Sequence, residues 1–135
     1  MRTVLAPYPA GPTGKDVTAI TASSGNVAAG TATATLTAGG ANFLTYISGF
    51  EFTGAGATGA SVVALTVTGT VGGTLTYNVA VPAGVSAGVS LIVEFNPPIP
   101  ANALNTNIVV SIPTLGAGNT NSAVVAHGYN LPQSS

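Results

Sequence analysis

The sequence predicts an all-β fold, a single antiparallel β-sandwich or jelly roll with an extended N-terminal arm. Three observations carry this. Thr, Val, Ala and Gly dominate the 135 residues, and long helix-forming side chains are almost absent. Thr and Val are stiff at χ1 and pack well on a pleated surface, which favours strands. From residue 43 onward apolar and polar residues alternate, the period of a half-buried strand. Gly- and Pro-rich turn signals cut that alternation into short runs, as in sandwiches and jelly rolls.

Residues 1–40 read as the arm. Segment 6–14, APYPAGPTG, holds three prolines, and each removes a backbone donor and fixes φ. Short strands are expected within the arm at 16–22 and 31–37. The second, TATATLT, alternates strictly and lines Thr31, Thr33, Thr35 and Thr37 along one side.

The sandwich itself is expected over 41–130. Residues 43–53, FLTYISGFEFT, form a long strand with Gly49 as a bulge or close-approach point. Its parity places Leu44, Tyr46, Phe50 and Phe52 on one face. Further strands are expected at 61–70, 74–81 and 88–95, with Gly72-Gly73 as a two-residue hairpin turn. Segment 96–105, NPPIPANALN, reads as a connection, because proline cannot donate to a ladder. Strands at 107–112 and 120–129 complete the domain, and 131–135 form a tail. The expected core is Tyr46, Phe50, Phe52, Leu65, Tyr77, Val79, Leu91, Val93 and Phe95.

Charge is scarce. Arg2, Lys15, Asp16, Glu51 and Glu94 give a formal net charge of −1. Ordinary domains devote about a quarter of their residues to charge, and net charge keeps free proteins dispersed. So neutral a chain suits a bound working state inside a larger assembly. Two cations cannot neutralise enough phosphates to grip nucleic acid. The apolar runs are broken within about ten residues, too short to span a membrane. Cysteine is absent, which removes disulfides and thiolate metal sites. The apolar stretch Val4-Leu5-Ala6 stops at Pro7, too early for a secretory signal.

Catalytic motifs are missing as well. The one imidazole, His127, is far in sequence from Asp16, Glu51 and Glu94, and no serine stands in a G-x-S-x-G elbow. Glu51 and Glu94 sit beside aromatic residues, and alternation turns each outward, where a charge blunts edge pairing. The G-x-G-x-x-G spacing at 54–59 has no helix after it and no base nearby, so it does not cradle phosphate. No enzyme activity is expected, and no catalytic, cofactor-binding or metal-ligating residue is assigned. The expected contact residues are Val4, Leu5, Tyr8, Thr31, Thr33, Thr35 and Thr37, through which the arm would pack on a neighbour.

Residues 42–129 carry turn and strand-edge motifs: Tyr46-Ile47-Ser48-Gly49-Phe50, Gly72-Gly73-Thr74-Leu75-Thr76-Tyr77, Val81-Pro82-Ala83-Gly84, Phe95-Asn96-Pro97-Pro98-Ile99-Pro100-Ala101 and Gly116-Ala117-Gly118-Asn119-Thr120-Asn121. In these the chain resembles the cement or decoration proteins found beside the major capsid protein of tailed bacteriophages. The resemblance implies a jelly-roll or β-tulip module, made in the host cytoplasm, that sits on the capsid exterior and bridges capsomers. Its implied partners are the major capsid protein and copies of itself, as dimer or trimer. Neither nucleic acid nor membrane is expected as a partner, and no cofactor is. Two other classes fit the same residues. One is the receptor- or glycan-binding head of a phage fibre or surface appendage. The other is a self-assembling fibre or pilus-like subunit that donates its arm as a strand.

Overall fold

A computed structural model describes residues 17–133. They form eight strands and no helix. In chain order these are β1 (Thr18–Ser23), β2 (Ala32–Leu36), β3 (Phe43–Ala55), β4 (Ser61–Thr68), β5 (Leu75–Val81), β6 (Gly88–Pro100), β7 (Ile108–Ile112) and β8 (Asn121–Pro132). They build two antiparallel four-stranded sheets, ordered β1-β8-β3-β6 and β2-β7-β4-β5.

The pairings follow one rule: β1 with β8, β2 with β7, β3 with β6 and β4 with β5. An eight-stranded hairpin folded about its β4–β5 end and rolled up gives these neighbours, which is the jelly-roll arrangement. Rolling adds the lateral pairs β3 with β8 and β4 with β7.

The core lies between the sheets. Phe50, Phe52, Val124 and Ala126 face it from the first sheet. Ala34, Leu36, Leu65, Val67, Ile108, Val110 and Ile112 face it from the second, and Leu115 plugs one end. Two buried polar ties fix the ends. Thr45 Oγ1 donates to Asn130 Oδ1 at 2.6 Å, and Asn130 Nδ2 donates to the Thr37 carbonyl. Asn119, only 2 % exposed, accepts from Leu115 N–H and donates to the carbonyls of Ala55 and Asn121.

Several sequence expectations are corrected here. Residues 18–36 belong to the sandwich and not to an arm: β1 pairs with β8 and β2 with β7 along their whole lengths. The cause is the inward row Ala32, Ala34 and Leu36, whose side chains are fully buried in the interior. Residues 1–16 lie outside the described residues.

The proline-rich segment is partly a strand. β6 runs through Pro100, with Ile99 opposite Ile47 and Pro100 opposite Tyr46. β6 is the edge of its sheet, where a missing donor can face away from the ladder. The last strand also continues, to Pro132.

Gly49 does mark a bulge, since the register of β3 shifts between Ile47 and Gly49 against both neighbours. One inserted residue reverses the parity. Thr45 and Ile47 therefore share the inner face with Phe50 and Phe52, while Tyr46 turns outward and stacks on Tyr129, ring centroids 4.9 Å apart. Tyr77, Leu91, Val93 and Phe95 are half-buried, packed at the β5–β6 margin where both sheets end.

The β4–β5 connection is longer than a two-residue hairpin. Its turn spans Thr70–Gly73, closed by Gly73 N–H to the Thr70 carbonyl, with Gly72 at φ 88 in its third position. That is a conformation glycine adopts without strain.

Candidate functional site

The sandwich has two outer faces, and they differ in chemistry. On the β2-β7-β4-β5 sheet the register aligns Thr33 with Ser111, Ser111 with Thr66, and Thr66 with Thr76. This is a row of hydroxyls across all four strands. Thr33 and Ser111 share a hydrogen bond at 3.1 Å. Thr35 and Thr68 flank Val109 in the next row. Nothing charged interrupts this face, because among residues 17–133 the only acidic or imidazole side chains are Glu51, Glu94 and His127, and no Lys or Arg occurs there.

All three of those groups sit on the other sheet, and all three line one depression. The β3 bulge makes it. Where β3 carries one residue between Ile47 and Gly49, β6 carries Phe95 to Pro98 between Glu94 and Ile99, so the edge strand bows away from the sheet. The resulting hollow has a volume of about 680 Å³ and is lined by Ser48, Glu51, Ile92, Glu94, Asn96, Pro98 and His127 among others.

Register explains the convergence. Gly49 stands between His127 on β8 and Glu94 on β6, and Glu51 stands between Val125 and Ile92. Glu51 and His127 are thus diagonal neighbours on adjacent strands, within reach of long side chains. His127 Nε2 lies 2.8 and 2.7 Å from the two Glu51 oxygens. A carboxylate only accepts, so Nε2 carries the proton and donates. Both side chains are 40 % exposed, at the surface and not in the core.

Glu94 differs. Its carboxylate has no hydrogen-bond or ion-pair partner among the described residues. Ile92, between the two glutamates on the same face, is 70 % exposed. The depression therefore combines a free carboxylate, an imidazole–carboxylate couple and an apolar floor.

As chemistry, this arrangement recognises charge more readily than it activates a nucleophile. Ser48 is the nearby hydroxyl, and its Oγ donates to the His127 backbone carbonyl at 3.1 Å. His127 Nε2 is occupied by Glu51. Among the described residues no group of three or more His, Asp or Glu is arranged to hold a metal ion.

The sequence-predicted contact residues fall as follows. Thr33 is exposed and Thr35 half-exposed on the outward side of β2, and Thr31 and Thr37, which flank that strand, are exposed. Val4, Leu5 and Tyr8 lie outside the described residues. Glu51 and Glu94 do turn outward, as parity implies. What the sequence did not disclose is that Glu51 meets His127 and that Glu94 lines the same depression, since the Glu51–His127 contact spans 76 positions. The bulge at Gly49 was the one usable sign. Of the 54–59 glycines, Gly54 and Gly56 serve packing, since an added Cβ would press on Leu115 and on Thr120, whereas Gly59 faces open space.

Beyond the bulge, Tyr129 is buried and its phenol is raised above the usual tyrosine value by that burial first, and then by Tyr46. No protein-family model matches the chain, and no curated protein matches it in sequence.

Proposed function

We propose that this protein is a structural virion component that binds the outside of a phage capsid and cements or decorates capsomers, without catalytic activity. One observation carries the reading: the hydroxyl face of the β2-β7-β4-β5 sheet is uncharged across all four strands, through Thr33, Ser111, Thr66 and Thr76. Such a face lies against another protein with little desolvation cost, because no ion must lose its water. Short hydroxyls find partners on the opposing surface. Each contact of this kind is weak, and a shell that presents many identical sites multiplies weak contacts through avidity. Jelly rolls recur in viral shell proteins and in lectins, and that analogy leaves the choice to the site. The partner in this reading is the major capsid protein.

The test is co-sedimentation of the intact chain with tailed-phage particles, followed by electron cryomicroscopy. The hydroxyl face should be the buried one, and Thr66→Lys should abolish sedimentation while leaving the unfolding midpoint in place. Unimpaired particle binding by Thr66→Lys, or density that leaves this face open to solvent, overturns the assignment.

A further inference from the structure

The depression at the β3 bulge is a second docking surface, and its occupant can be argued from charge. The described residues hold no Lys or Arg, yet two carboxylates and one imidazole are gathered in a single hollow. Charges placed for solubility would be dispersed over the surface. Glu94 is unpartnered, and Ile92 beside it is 70 % exposed. The surface thus offers negative charge around an apolar patch.

The complementary segment is in the same chain. Its only two cations, Arg2 and Lys15, both precede β1, and Val4, Leu5 and Tyr8 lie between them; with Asp16 the segment carries a formal charge of +1, opposite in sign to the two carboxylates of the depression. Sixteen residues precede Val17, enough to extend over about 50 Å. The depression runs from His127 on β8, opposite Thr21 of β1, across β3 to Glu94 on the edge strand β6, so Glu94 lies at the far edge of the sheet from the strand that the segment leads into. Two copies placed edge to edge bring the N-terminal segment of one beside the β6 depression of the next. That contact is heterologous, and it closes into a ring or continues as a row.

We propose that the Glu51–Glu94–His127 depression is the seat for the Arg2- and Lys15-bearing N-terminal segment of a second copy. Glu94 receives the cation, and Ile92 and Pro98 receive the apolar residues. The proposal rests on the assembly reading above, which places copies side by side on a shell. It also departs from the sequence expectation of an arm that adheres by apolar packing alone, because here attachment weakens with salt.

The test is a charge exchange in the full-length protein, read by sedimentation velocity. Glu94 is exposed and unpaired, so Glu94→Lys leaves the fold intact, which circular dichroism checks. Glu94→Lys alone, and Arg2→Glu with Lys15→Glu alone, should each weaken self-association about tenfold, as an attraction becomes a repulsion. Mixing the two variants should restore association, since each reversed segment then meets a reversed seat. Association untouched by either variant, or no recovery on mixing, overturns the proposal. So does concentration-independent behaviour of the wild type with loss of stability in Glu94→Lys, which would put the segment on its own copy. Saccharide binding on a glycan array that vanishes in Glu94→Lys would overturn it in favour of a sugar site. Recovery on mixing without particle co-sedimentation would retire the capsid reading and leave this seat standing. Co-sedimentation without recovery would do the reverse.

Discussion

Three positions show how single residues hold this fold. At Gly128 an added Cβ would collide with the Tyr46 carbonyl, and at Gly49 it would stand 2.7 Å from the Val93 carbonyl. Both glycines let backbone pass backbone at the bulge, so their substitution forces the strands apart. Gly128→Ala should lower stability by about 1–3 kcal/mol, the usual cost of overpacking, as measured by urea unfolding. An unchanged midpoint would mean that the bulge relaxes freely. Asn119 holds the β7–β8 connection to β3 through one accepted and two donated hydrogen bonds. Asn119→Ala leaves buried partners unsatisfied and should cost about 1–3 kcal/mol. A loss below about half a kcal/mol would assign those partners to water. Tyr77 and Tyr129 both have phenols raised by burial. A folded-state value above the unfolded one means that folding favours the neutral phenol. The stabilisation is fully present below about pH 10 and is lost as pH rises through the folded value. The ionisation of Tyr77 and Tyr129 should therefore appear above the usual tyrosine range, and thermal stability should fall above about pH 10. Ionisation of these two phenols at the ordinary tyrosine value, with no loss of stability, would contradict this.

At the scale of elements, the β5–β6 margin separates true core from half-covered wall. Phe50 is fully buried and meets Tyr77 edge-on at 5.5 Å, whereas Phe95 reaches it from the bowed edge strand with ring centroids 6.2 Å apart. Phe50→Ala should cost about 3–5 kcal/mol and Phe95→Ala clearly less, because a half-buried ring leaves no closed cavity. Equal losses by denaturant unfolding would show that the margin closes over Phe95. The contrast also marks how far the sequence could be read. Alternation located the strands, since period two needs no tertiary information. It misplaced Tyr46, because a bulge of one residue inverts the face and pattern alone does not say where the inversion falls. It ended β6 at Phe95, because the tolerance of an edge strand for proline is a property of the sheet and not of the segment. It left β1 and β2 in an arm, because Ala32 and Ala34 look too small to form a core until Leu36 and the facing sheet close over them. The Glu51–His127 couple needed the β3–β8 register, which long-range pairing alone supplies.

On the scale of the whole molecule, the rolled hairpin makes the two ends of the chain depend on each other. β1 covers the flank of β8 and β2 covers that of β7, so β7 and β8 are interior strands only while residues 18–36 are present. Two truncations then behave oppositely. A chain starting at Val17 keeps all eight strands and should unfold cooperatively with nearly the midpoint of the intact protein. A chain starting at Ala41 loses β1 and β2, exposes the ladder edges of β7 and β8, and uncovers the core around buried Ala32, Ala34 and Leu36. A two-edged sheet over an open core is the usual substrate for aggregation, so this shorter chain should be molten or insoluble. Loss of three buried side chains and eleven ladder pairs exceeds the roughly 5–15 kcal/mol by which a domain is stable. Circular dichroism and thermal melting of the two shortened chains check it. A sharp melt from the chain starting at Ala41 would make residues 18–36 an accessory to a six-stranded core. A sharp melt from the Val17 chain with its self-association lost would confine residues 1–16 to contacts between copies, where the charge on Arg2 and Lys15 has its partner.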